Sequence, residues 1–177
     1  MKMRKVNIVL FEPEIAANVG AIMRTCALID AKLHLIEPFG FIFDKRNFAR
    51  TSANNFEACE YERYDDLNDF FDKVKPNKSF FLTRYGKKPL SSFNFNEINE
   101  EVYLFFGKES TGLPLNLLKN NINHCFRFPM VDNGRSLNIS NCVGIASYEV
   151  LRQWDYLNLS KVEVEKGSDY IEKIDSN

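Results

Sequence analysis

Several absences bound this chain before anything present in it does. No apolar stretch approaches the roughly 18 to 20 residues that cross a bilayer. The opening Met-Lys-Met-Arg-Lys runs straight into Val6-Asn-Ile-Val-Leu-Phe11, too short for the core of a signal peptide. A cytoplasmic protein with no membrane partner is therefore expected. Cysteine is scarce and scattered: Cys26, Cys59, Cys125 and Cys142 show neither C-x-x-C nor a cysteine/histidine ligand spacing. Reduced structural thiols are expected, and no metal is implied. Of the two histidines, His34 falls within an apolar strand and His124 at a strand entrance, so both read as structural. Charge of one sign is lacking too. A net charge of -1 excludes a globally basic nucleic-acid coat but leaves room for a local patch. No G-x-G-x-x-G follows the first strand, which weakens a dinucleotide reading, and no G-x-x-x-x-G-K-[ST] is present, which removes the P-loop reading. The serines between Ser136 and Ser147 offer no Ser-His-Asp arrangement, so hydrolysis is unsupported. There is no internal repeat and no low-complexity segment.

What is present suits one globular domain with a substantial core: 177 residues, 45% hydrophobic and 27% charged. Strands are expected over Val6–Phe11, Lys32–Ile36, Ala58–Glu62, Lys78–Thr83, Glu101–Phe106 and His124–Phe128. Their continuous apolar character suggests burial on both faces, as in a mainly parallel sheet. Helices are expected over Asn18–Ile29, Asp44–Thr51, Asp65–Val74, Pro114–Asn120 and Ser140 to about Trp154. This order makes an α/β domain with helices on both faces of the sheet. The domain is expected to span residues 1–156, with 157–177, rich in Lys, Glu, Ser and Asp, as a polar tail. The long loop from Tyr85 to Asn99 reads either as a functional flap or as a plain surface connection.

Helix starts are chemically explicit. Asn18 and Asp65 are placed to cap their helices, and Pro114 sits where a missing N–H costs nothing. For the last helix, Ser136, Asn138 and Ser140 are alternative caps. That helix carries an apolar stripe, Val143, Ala146, Val150 and Trp154, for the core or for a partner subunit. Function concentrates in strand-loop-helix junctions. After the first strand, Asn18 and Gly20 lead into a helix whose N-terminus attracts an anion, with Arg24 one turn beyond; the plain alternative is a capped helix with a surface arginine. Two more junctions follow, Phe106-Gly-Lys-Glu-Ser-Thr-Gly-Leu-Pro114 and Phe128-Pro-Met-Val-Asp-Asn-Gly-Arg-Ser-Leu-Asn-Ile-Ser140, each offering backbone donors and acceptors to a small polar ligand. Basic residues gather in the first half, at Lys2, Arg4, Lys5, Arg24, Lys45, Arg46 and Arg50; an ordinary solvated surface explains them equally.

Taken in order, Asn18-x-Gly20-x-x-x-Arg24, Phe106-Gly-x-Glu-x-x-Gly-Leu-Pro114 and Pro129-Met-x-x-x-x-x-Ser136-Leu-Asn138-x-Ser140 resemble the three motifs of the SPOUT-class RNA 2′-O-ribose methyltransferases. The resemblance runs over about residues 5 to 155. Through Leu35-Ile-Glu-Pro-Phe-Gly40 it is nearest to the tRNA (cytidine/uridine-34)-2′-O-methyltransferase branch, TrmL. It implies a C-terminal trefoil knot, which general threading rules argue against, and S-adenosylmethionine bent within the knot loops. The implied cofactor residues are Leu82, Thr83, Gly107, Glu109, Gly112, Phe128, Met130, Ser136 and Leu137; the implied catalytic ones are Arg24, Asn18 and Ser136. RNA contacts would come from Arg24, Lys45, Arg46, Arg135 and Asn138, with a tRNA anticodon loop as substrate, leucine isoacceptors in particular, and a homodimer as the working unit. Tyr148 is a candidate for the subunit interface. Methylation of another tRNA or rRNA nucleotide, and a noncatalytic RNA-binding factor on the same fold, are the alternatives. The chain departs from the branch pattern at Ala16-Ala-Asn-Val-Gly20, where Pro-Pro-Asn-Thr-Gly is usual, and at Asp132-Asn-Gly-Arg-Ser136, where a glycine is inserted.

Overall fold

The computed structural model describes residues 4–44, 46, 48, 52 and 57–174. Six strands lie side by side in the order β3-β2-β1-β5-β4-β6, and every pairing is parallel. The strands are β1 (Val6–Phe11), β2 (Lys32–Ile36), β3 (Tyr61–Tyr64), β4 (Lys78–Leu82), β5 (Val102–Phe106) and β6 (Cys125–Phe126). The central pair, β1 and β5, is buried along its whole length, which is why both read as mainly apolar runs, with Asn7 the polar residue in β1. The edges depart from expectation. β3 begins at Tyr61 instead of Ala58, because its ladder to β2 runs from Leu33↔Tyr61 to Ile36↔Tyr64. An edge strand tolerates polar Glu62 and Arg63 facing out, so the apolar Ala58 and Cys59 misled. β6 is cut to two residues, with His124 in a tight turn before it.

Side chains alternate between the two faces and build two cores. Val6, Ile8 and Leu10 of β1 face α1 (Ala16–Leu28) and α4 (Ile139–Gln153), meeting Val19, Ile22, Met23, Val143, Ala146 and Val150. Val9 and Phe11 face the opposite side, against Phe70 of α2 (Leu67–Val74) and Leu118 of α3 (Leu115–Asn120). Helices therefore cover both faces, and each fully buried Ile, Val or Phe contributes about 1.5–3 kcal/mol. The stripe Val143, Ala146, Val150, Trp154 is buried within the chain's own core.

Two local expectations need correction, and a third segment, read two ways, is packed against the end of α4. α2 is capped by Asp66, whose carboxylate accepts from the Asp69 N–H at 2.8 Å, not by Asp65. α1 starts at Ala16 with no side-chain cap, so Asn18 already lies inside its first turn. The 85–99 segment is a packed connection: Leu90 and Phe95 are buried, the Gln153 side chain accepts from the Phe95 N–H at 2.8 Å, and the Trp154 indole donates to the Phe95 carbonyl at 2.9 Å. The helix expected over Asp44–Thr51, with Lys45 and Arg50, falls largely outside the described residues. Among the described residues no helix is long and apolar enough to cross a membrane, and all four cysteines are free and buried.

Topology now fixes where a ligand belongs. From β1 the chain moves outward through β2 and β3, then resumes on the other side of β1 with β4 and β5. The crevice at the carboxyl ends of β1 and β5, where the winding reverses, is where open parallel sheets bind ligands.

Candidate functional site

Among the loops that leave the sheet at that end are residues 12–15 after β1, 83–89 after β4, 107–114 after β5, and 127–138 after β6. The 107–114 loop is folded back on itself. The Gly112 N–H donates to the Lys108 carbonyl at 2.9 Å, and Gly112 sits at φ +77°, a region that favours glycine. A Cβ on Gly107 would fall 2.1 Å from the Gly112 carbonyl carbon, so two stretches of main chain touch where any side chain would intrude. The spacing Gly107 to Gly112 is thus a steric requirement of the turn.

One chain of hydrogen bonds joins all three sequence motifs. The Asn18 amide donates to Glu109 Oε1 at 2.8 Å, and its oxygen accepts from the Asn138 amide at 3.0 Å. The other oxygen of Glu109 accepts from the Glu14 N–H at 2.9 Å. Asn138 in turn accepts from the Ser140 N–H at 2.8 Å and is the cap of α4. Asn18 is buried, so each of these bonds replaces one to water and leaving any unmade would carry a penalty. Its role is to cross-link the β1, β5 and β6 loops rather than to cap a helix.

Two further contacts run parallel to that chain and were not visible in the sequence. Lys108 pairs with Glu12 at 2.5 Å, and the Glu14 carboxylate accepts from both the N–H and the hydroxyl of Ser110, each at 2.8 Å. The Ser110 bonds hold the Glu14 carboxyl below its ordinary range. The partners lie 96 residues apart, beyond the reach of any local pattern.

Of the residues singled out for a cofactor, Leu82 ends β4 and Thr83 follows it, Gly107 follows β5, and Phe128 lies just beyond β6: three adjacent strands of the sheet. Leu82, Phe128 and Met130 are half-buried, and the Phe128 ring packs edge-on against Phe126 at 5.8 Å. Thr83 donates its N–H to the Phe126 carbonyl at 2.9 Å. Apolar walls beside a glycine-tight turn suit a flat heteroaromatic group read by main chain. Glu109 is engaged by Asn18 and Glu14, so it serves the loop's shape. Arg135, Ser136 and Leu137 are exposed, outside this hydrogen-bonded frame.

Arg24 is exposed on α1 and makes no hydrogen bond or ion pair among the described residues. Arg46 is exposed and paired with Asp44 at 2.6 Å; Lys45 lies outside the described residues. His34 is structural: its ring bonds Tyr64 at 2.8 Å and Asn7 at 3.1 Å, and burial pushes its pKa down to about 4. His124 is exposed and its ring packs on Phe80 at 5.5 Å, away from the hydrogen-bond chain. Tyr148 is 52% exposed on the outer side of α4.

Comparison with known proteins agrees with this geometry. The sequence model of the SpoU rRNA Methylase family matches residues 5–148. A Bacillus subtilis protein assigned as a tRNA (cytidine(34)-2′-O)-methyltransferase is 40% identical, over 90% of this chain and 99% of its own. The tRNA (cytidine(34)-2′-O)-methyltransferase of Escherichia coli strain K12 is 38% identical, over 85% of this chain and 94% of its own. A solved structure from work on 2-OH methylation of C/U34 on tRNA is 31% identical with a TM-score of 0.78, over 85% of this chain and 97% of its own.

Proposed function

This chain belongs to the SpoU rRNA methylase family, and from that premise we propose that it methylates the ribose 2′-OH of the wobble nucleotide, position 34, of tRNA, with S-adenosylmethionine as donor. The observation that carries the reading is the Glu109–Asn18–Asn138 chain, which draws the three motif segments to one point at the switch of the sheet. The residues present fit the cofactor: Gly107 lets the loop close on its own main chain, Gly112 leaves open space beside it, and Leu82, Phe128 and Met130 would wall a flat adenine. When bound, S-adenosylmethionine supplies an electrophilic methyl group on sulfur.

The protein's own task is to hold the ribose hydroxyl in line and to stabilise the charge that develops on it. Arg24, exposed and unpaired among the described residues, takes that role. A guanidinium with a pKa above about 12 does not serve as a base at neutral pH, so it orients a phosphate and steadies the alkoxide. Ser136 and Asn138 help hold the ribose, and the loop after β6 with Met130 and Leu137 completes the cofactor cradle. The resemblance adds a C-terminal trefoil knot, cytoplasmic action on an anticodon loop, leucine isoacceptors as substrates, and a homodimer. The exposed Ile145 and Tyr148 of α4 and Leu28 of α1 support the last of these.

The test is transfer of labelled methyl from S-adenosylmethionine to tRNA lacking ribose methylation, with nuclease mapping of the label. Label at the ribose of position 34 is expected; label elsewhere overturns the substrate, and none overturns the activity. Arg24→Ala is expected to lower turnover by 100-fold or more with cofactor affinity within about twofold. Loss of both together would remove Arg24 from the chemistry.

A further inference from the structure

We propose, resting on the reading that the substrate is a tRNA, that the loop after β4 and the exit of β6 form a docking strip for the RNA backbone and one unstacked base. The strip is built from Arg84, Tyr85, Lys87, Lys88 and Arg127. These residues lie outside the three motifs and outside the basic cluster of the first half.

Three observations carry the proposal. The first is charge. Lys5, Lys32, Arg63, Lys73, Lys108 and Arg152 each have a carboxylate partner, whereas among the described residues Arg84, Lys87, Lys88 and Arg127 have none. Four cations without a carboxylate partner on two loops joined through main chain, in a chain of net charge -1, make a local field suited to phosphates, with Lys88 Nζ resting 4.1 Å from the Phe93 ring centre.

The second is that the strip is built and not loose. A Cβ on Gly86 would lie 2.4 Å from the Phe126 carbonyl carbon, so the β4 loop is pressed onto the β6 backbone. The Arg127 N–H donates to the Lys88 carbonyl at 3.1 Å, and the Gly86 N–H to the Thr83 carbonyl at 3.2 Å. The two loops are therefore one surface, joined through their main chains.

The third is continuity with the site. Arg84 and Tyr85 follow Leu82 and Thr83 directly, and Arg127 precedes Phe128, so the strip leaves the rim of the cofactor cradle on the β4–β6 side. Tyr85 is 60% exposed, with the Arg84 guanidinium 5.7 Å from its ring centre. An aromatic ring beside cations is the chemistry that stacks an unpaired base irrespective of its identity while its phosphate is held. Sequence reading passed over this strip because it sorted basic residues by position along the chain, and Arg127 joins residues 84–88 only through β6.

The proposal is tested by direct binding of unmodified tRNA to the full chain at several salt concentrations. Arg84→Ala, Lys87→Ala and Arg127→Ala are each expected to weaken binding about 3- to 10-fold. Each is also expected to reduce the slope of log affinity against log salt by about 0.7 to 0.9. Tyr85→Ala is expected to weaken it at least about 5-fold with the slope unchanged, and Arg84→Lys to restore the wild-type slope. Lys78→Ala, at the opposite end of β4, serves as the control and changes neither. Wild-type affinity and slope in all four alanine variants would overturn the strip. Methyl transfer by the unsubstituted protein, measured separately, judges the activity: weakened binding in the variants without any methyl transfer would leave the strip standing and remove the enzyme.

Discussion

Asn18 shows how one side chain gives a site its shape. Its amide has a donor and an acceptor, and the site uses both, one toward Glu109 and the other toward Asn138. An ionised carboxylate of the same size accepts only and cannot reproduce that pair. Asn18→Asp keeps the size but sets a second carboxylate where an N–H stood 2.8 Å from Glu109. Two like charges so close cannot both ionise without penalty, so one takes up a proton and the pair behaves as a single titrating unit. At pH 8 this variant is expected to lose about 100-fold in methyl transfer and to be destabilised by about 1–3 kcal/mol, with part of both recovered near pH 5.5. Melting and transfer measured across that range check it, and a profile parallel to the wild type would mean that the two groups are not coupled. The asparagine's identity was legible in the sequence as part of a motif. Its purpose was not: a helix-opening asparagine reads locally as a cap, whereas the contacts that define it arrive from residues 91 and 120 positions away.

At the scale of elements, legibility followed burial. β1 and β2 were readable to the residue because both are mostly apolar and almost wholly buried, and the buried stripe of α4 was readable from its 3- and 4-residue spacing. The edge strands were not, since β3 and β6 owe their limits to pairing with a neighbour and carry weak patterns of their own. His34 links elements in a way that has a pH signature. From β2 it bonds Tyr64 on β3 and Asn7 on β1, and desolvation depresses its pKa from 6.5 to about 4. For a base with a depressed folded pKa, the unfolded chain binds the proton first. The His34 contribution is therefore whole above about pH 6.5 and is lost progressively as pH falls toward 4, up to about 3 kcal/mol in all. His34→Gln cannot titrate and is expected to show a shallower loss of stability between pH 6.5 and 4 than the wild type. Denaturant melts at half-unit pH steps measure it; equal slopes would place the acid sensitivity in the carboxylates instead.

At the scale of the whole molecule, α1 and α4 each have two faces. Inward they share a core, with Val19, Ile22 and Met23 against Val143, Ala146 and Val150. Outward, Ile145 is 49% exposed, Tyr148 52% and Leu28 63%, spaced by helical turns, and Arg24 lies one turn before Leu28. A large apolar residue on a surface helix is unremarkable alone, but three on adjoining helices, with the proposed catalytic arginine one turn from Leu28, are compatible with the proposed homodimer. The proposed homodimer covers them with the same face of a second copy, as a two-fold axis requires. On that proposal Arg24 would lie at the subunit boundary, and assembly and turnover would be linked. The double variant Ile145→Glu, Tyr148→Glu is expected to sediment as a monomer at micromolar concentration and to lose at least tenfold in methyl transfer. A single cooperative melting transition in this variant would show that the buried stripe of α4 still holds. A wild-type protein that sediments as a monomer under the same conditions would remove the homodimer. A monomeric double variant with full transfer would instead separate Arg24 from the boundary, and the reacting ribose would then be held within one chain.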